Sequence, residues 1–149
     1  MASFKFEREV AAPPETVFDV FVDHRGYAAI TPLRRSELER EGEPAPNGVG
    51  AIRVLGSIGP PLREEVLTYE EPRRFSYKLL SGAPLEDHVG TVELTPQGSG
   101  TRVTYAVRTM PTVPVVGGIV VAVAKQGVKQ LLNGIAAEAE RRATQSQNG

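Results

Sequence analysis

The chain has 149 residues, about the size of one hydrophobic core, and its 40% apolar and 23% charged residues are those of a folded globular protein. Seventeen basic against eighteen acidic side chains, a formal charge of −1, give no ground for a nucleic-acid backbone or an anionic membrane as the main partner. The absence of cysteine excludes disulfides, thiolate catalysis and cysteine-held metals, and fits a reducing cytosol.

In chain order, the first element is a strand. Phe4, Phe6 and Val10 alternate with Lys5, Glu7 and Glu9, the period of a half-buried strand, and Arg8 is the polar residue on its apolar face. Pro13-Pro14 ends the strand, with Pro14 placed for the first turn of a helix that carries Val17, Val20 and Phe21. Asp23 is read as the cap of a second short helix ending at Ile30, before Thr31-Pro32. From Leu33 the pattern becomes strands between turns. Leu33 to Glu41 reads as a charged edge strand, followed by Val49–Leu55, Leu62–Glu70, Arg73–Leu80, Asp87–Thr95 and Thr101–Thr109. The breaks between them are rich in Pro and Gly: residues 43–48, 56–61, 71–72, 81–86 and 96–100.

The period then changes. Val116, Val120, Val123, Gly127, Leu131 and Ile135 recur in steps of three and four, which predicts an amphipathic helix from about Val115 to Arg142. Its first third is apolar nearly all round and is expected to be covered on both sides, with Gly117-Gly118 marking a bend or a close approach. The apolar window Val113–Ala124 is 12 residues long, short of the roughly 20 a membrane span needs. No basic-then-apolar leader is read at the start. The expectation is a soluble, cytoplasmic chain without stable membrane insertion. Residues 1–143 are expected to form a single helix-grip ligand-binding domain and 144–149 a frayed tail.

The fold class expected is α+β: a seven-stranded curved antiparallel sheet wrapped around a long C-terminal helix, with two short helices after the first strand. One helix about 10 Å wide does not fill the hollow of a wide twisted sheet, so an apolar cavity is expected between them.

The order and spacing of four segments carry a resemblance: 10–21 (VAAPPETVFDVF), 48–50 (GVG), 70–77 (EEPRRFSY), and 90–96 (GTVELTP) running into 98–105 (GSGTRVTY). Together they resemble the birch-pollen-allergen-like superfamily, which includes START lipid-binding domains and the polyketide cyclase/dehydrase group. The resemblance covers about residues 3–142 and implies the helix-grip fold. Where many relatives carry Trp, after the first helix and in the last strand, this chain has Tyr27 and Tyr105.

Parity places Phe75, Tyr77 and Leu79, Val103, Tyr105 and Val107, and His88, Gly90, Val92 and Leu94 on inner faces. The ligand-contacting residues expected are Phe21, Tyr27, Leu55, Phe75, Tyr77, Leu79, His88, Tyr105, Val107, Val120, Val123 and Ala124. Candidates for acid–base chemistry are His88, Tyr105, Glu64 and Arg53, none of them fixed by a motif. His88 reads first as a partly exposed strand-end histidine and second as a pocket acid or base. Arg53 and Glu64 read first as solvated, with a cross-strand ion pair as the alternative, serving either as a structural bridge or as a polar anchor for a ligand head group. Asp23-His24 reads as a surface cap rather than a catalytic dyad. No metal site and no cofactor are expected from two histidines without cysteine.

The function expected is binding of a hydrophobic small molecule, lipid-like or polycyclic. The alternatives are a cyclase/dehydrase (aromatase-type) enzyme and a partner-binding module gated by ligand. Nothing distinguishes a monomer from a homodimer. The residue 56–61 and 82–86 loops are expected to form the pocket's lips.

Overall fold

The computed structural model describes residues 2–23, 26–31, 33–56 and 59–148. In chain order they form β1 (Ala2–Val10), α1 (Pro14–Val22), α2 (Tyr27–Ile30), β2 (Arg35–Arg40), β3 (Ile52–Gly56), β4 (Leu62–Glu70), β5 (Arg74–Ser81), β6 (Leu85–Gln97), β7 (Gly100–Pro111) and α3 (Gly117–Asn148). The strands make one sheet in the order β1-β7-β6-β5-β4-β3-β2, and every neighbouring pair is antiparallel. This is the helix-grip arrangement expected from the sequence.

The sheet order explains the short helices. β1 and β2 are consecutive in sequence but occupy opposite edges, so the chain between them must travel from one edge to the other. It does so as α1 and α2. α1 begins with Pro14 in its first turn and buries Val17, Phe18, Val20, Phe21 and Val22. Each such side chain taken from water contributes about 1.5–3 kcal/mol. Phe18 also stands edge-on to Tyr69 of β4, with ring centroids 5.2 Å apart.

The second helix is shorter than the sequence predicts. Asp23 is the C-cap residue of α1, not the start of α2, and its Oδ1 accepts a 3.3 Å bond from the Gly26 N–H. Gly26 itself stands at the N-cap of α2. His24 lies outside the described residues.

In β1 the outward face is charged and the inward face apolar, as the alternation predicts. Arg8 on the inward face reaches α3, where its Nη1 donates to Asn133 Oδ1. β6 and β7 extend beyond their expected limits, because the strands continue to Gln97 and resume at Gly100. Only Gly98-Ser99 separates them, and Gly98 has a φ of 61° that suits a residue without a Cβ.

α3 departs from expectation more than any other element. Its buried stripe is Val128, Leu132, Ile135, Ala136, Ala139 and Ala143, and begins only at Val128. The first turns are not covered on both sides: Ile119 is 65% exposed and Val123 67%, and Val115, just before the helix, is 92% exposed. The physical reason is the hollow itself. The sheet and α1 close against the second half of the helix, while the first half spans an opening. The helix also continues past Arg142 to Asn148. Gly117 marks a close approach, since a Cβ there would stand 3.0 Å from Pro111 Cγ.

Candidate functional site

The site is built from three strands that feed one inner face. Register sets Tyr77 of β5 opposite Gly90 of β6, and Gly90 opposite Val107 of β7. The next row holds Phe75, Val92 and Tyr105, with Phe6 of β1 beyond. Gly90 makes this possible: a Cβ there would lie 2.4 Å from Tyr77 Cζ and 2.5 Å from Tyr77 Oη. The Tyr77 ring lies over the bare glycine and its hydroxyl bonds the Tyr105 hydroxyl. Gly90→Ala is expected to displace that ring, break the phenol pair and cost about 1–3 kcal/mol, the range of overpacked cores. Urea denaturation measures the loss, and an unchanged midpoint would contradict the packing described.

Beside the tyrosines lies a buried ion pair. Arg53 of β3 and Glu64 of β4 are cross-strand partners. Their side chains are 1% and 6% exposed, which corrects the reading of both as solvated. Glu64 Oε1 accepts from Arg53 Nε at 2.8 Å and lies 2.7 Å from Nη2. The guanidinium stacks 4.4 Å from the Tyr77 ring centroid and 5.3 Å from that of Phe75, so its faces meet π electrons rather than alkane. Burial alone would lower the Arg53 pKa, but the Glu64 carboxylate and the neighbouring phenols outweigh it and hold the value above the ordinary one.

His88 of β6 is likewise buried, at 6% exposure, rather than the partly exposed strand-end residue that the sequence favours. It lies within a register shift between Glu86 and Val89, next to Asp87 at a φ of 48°. Its Nδ1 is 2.9 Å from Thr109 Oγ1 on β7. Burial lowers its pKa, against a smaller opposing pull from Glu64. The folded chain therefore resists protonation at His88, whereas the unfolded chain takes up the proton near 6.5. Stability from this residue is complete above that value and is lost as pH falls below it. His88→Gln is expected to flatten the fall in urea midpoint between about pH 7 and 5. Parallel profiles for the two chains would contradict it.

Burial also governs the phenols. Tyr27 is pushed up to about 12, chiefly by desolvation, and its hydroxyl donates to the Phe21 carbonyl. Desolvation raises Tyr77 and Tyr105 as well, so both stay protonated and serve as hydrogen-bond groups rather than bases.

Between this inner face and the first half of α3 lies a pocket of about 560 Å³. Leu55, Tyr77, Leu79, His88, Tyr105, Val120, Val123 and Ala124, all named from the sequence as contacts, line it, and so does Glu64. Phe21, Tyr27, Phe75 and Val107 do not line it. Each is buried to 2% exposure or less, in the core with the sheet and α1. Arg53 is also behind the wall, holding Glu64 from the back. Of the two expected lips, Ala83, Pro84 and Leu85 line the pocket, while Ser57 and Ile58 lie outside the described residues. Among residues the sequence did not single out are Leu33, Leu62, Gly127 and Leu131. Leu131 belongs to the apolar stripe, and Leu62 shares the inward parity of Glu64, so both carried a readable signal. Among the described residues, no three His, Asp or Glu side chains gather as a metal-ligand set.

The model of the polyketide cyclase/dehydrase and lipid transport family matches residues 1–140. The chain belongs to this family. No match was found among curated proteins. Among solved structures, this family member is similar to Ara h 8.0201, with a TM-score of 0.78 at 16% identity over 93% of this chain and 97% of that one. A START superfamily protein from Mycobacterium smegmatis gives 0.73 at 17% identity, covering 96% of this chain and 97% of the other. The di-domain ARO/CYC StfQ from the steffimycin biosynthetic pathway gives 0.76 at 17% identity, with 95% of this chain spanning 51% of its length. These likenesses show the fold, in agreement with the resemblance drawn from residues 10–21 and 90–105. No helix among the described residues is long and apolar enough to cross a membrane.

Proposed function

We propose that this chain binds an apolar small molecule, lipid-like or polycyclic, in the pocket between the sheet and α3. The observation that carries the reading is a pocket of about 560 Å³ walled by Leu55, Leu79, Val120, Val123 and Leu131, which the chain's own side chains leave open. Pockets of this size and lining are those that bury most of a ligand's surface. Membership of a family described by lipid transport supports it. Mass spectrometry of compounds extracted from the purified protein tests it. A stoichiometric apolar compound is expected, and no compound with no uptake of added lipid would contradict it.

A second reading, cyclase/dehydrase chemistry, draws on Glu64 and His88 at the pocket wall, each a possible proton acceptor. Arg53 holds Glu64 in place from behind in that reading, and the two phenols supply donors. It ranks second because no pair of these groups is arranged around a defined reacting position.

A further inference from the structure

The polar groups on the sheet side of the pocket are not spread around it. Glu64, Tyr77, His88 and Tyr105 come from four adjacent strands, β4 to β7, and line the same hollow. Glu64 is 4% exposed overall, and its Oε1 takes both contacts from Arg53. Its Oε2 has no partner among the described residues, although the side chain lines the pocket. Oε2 is not among the fully buried polar atoms, so it is an accessible acceptor at the pocket wall, and a ligand donor there would make a charge-assisted bond. The phenol pair adds the complementary group. Of two hydroxyls bonded to each other, one donates, and the other keeps its proton for a third group.

We propose that the pocket selects amphiphiles ending in an uncharged hydroxyl, alcohol or phenol, and discriminates against those ending in a carboxylate. This rests on the reading of the pocket as a ligand site. A hydroxyl both donates, to Glu64 Oε2, and accepts, from the tyrosine pair. An ether only accepts. A carboxylate brings a second negative charge beside Glu64 in a poorly solvated space, and Arg53, which would attract it, lies behind the wall, where its one unpartnered nitrogen, Nη1, is buried out of reach of the pocket.

Displacement of the apolar fluorophore N-phenylnaphthylamine by dodecanol, dodecyl methyl ether and dodecanoate at pH 8 tests this. Dodecanol is expected to displace it at concentrations about tenfold or more below those of the ether, as the loss of a bond to a charged acceptor dictates, and dodecanoate is expected to be weaker than dodecanol. Equal displacement by alcohol and ether, or dodecanoate as the tightest, would overturn the proposal while leaving the pocket reading intact. Failure of the fluorophore and of all three compounds to bind would overturn the pocket reading itself. Glu64→Gln removes the carboxylate charge and leaves Arg53 uncompensated, so the preference of alcohol over carboxylate is expected to reverse. The ratios on the unaltered chain carry the test where that variant does not fold.

Discussion

Replacing Arg53 with Met destabilises the chain by about 3–5 kcal/mol, the usual cost of removing one partner of a buried ion pair. Glu64 would be left 4% exposed with neither of its Arg53 contacts. Glu64→Leu alone costs as much, because it strands a guanidinium that is 1% exposed. The double variant recovers most of the loss, because no charge is then buried, and ends within about 1–2 kcal/mol of the original. Chemical denaturation of the four chains in the cycle measures this coupling. Single variants that lose under about 1 kcal/mol, the worth of a surface pair, would mean that the site is solvated. The pair also has a positioning role: the same Arg53 that neutralises Glu64 stacks on Tyr77, so its loss is expected to loosen the phenol pair as well.

Filling the pocket has the second large effect, on binding rather than stability. Gly127 lines the pocket from α3, and a Cβ at that position would meet nothing within 4 Å. Gly127→Trp places an indole at the open wall without displacing a neighbour at its root. It also removes a glycine from a helix interior, a change that favours the helix by a few tenths of a kcal/mol. Affinity for N-phenylnaphthylamine is expected to fall by about tenfold or more, in line with lost apolar contact area, while the melting temperature stays level or rises. Unaltered affinity would show that the fluorophore binds elsewhere, for instance on the exposed Val115 and Val116.

Much of the fold and of the pocket wall is legible in the sequence. Alternation in Arg73–Leu80 and Thr101–Thr109 names the inward residues correctly, because one face of an antiparallel sheet is buried and a one-residue slip would expose it. The change of period after Val115 locates the helix for the same reason. What stayed hidden depends on pairing between strands. Arg53 and Glu64 each look like ordinary surface charges until β3 and β4 are aligned, when they become direct partners. His88 sits beside a register shift that no local pattern announces.

The first half of α3 shows a different limit. Ile119 and Val123 are as apolar as a core helix, yet they stand exposed over a hollow. Hydropathy reports what a residue would prefer to touch and not whether the chain supplies it. That mismatch is consistent with a molecule other than the chain itself meeting part of this surface at the pocket, where Ile119 and Val123 are lining residues.

Titration of the isotope-labelled chain with N-phenylnaphthylamine, followed through its amide resonances, tests the central claim most directly. Saturable shifts at Leu55, Leu79, His88, Ala124 and Gly127, which line the pocket from both sides, are the result expected. Shifts confined to Val115 and the outer strand faces, or none at all, would contradict a ligand held between the sheet and its helix.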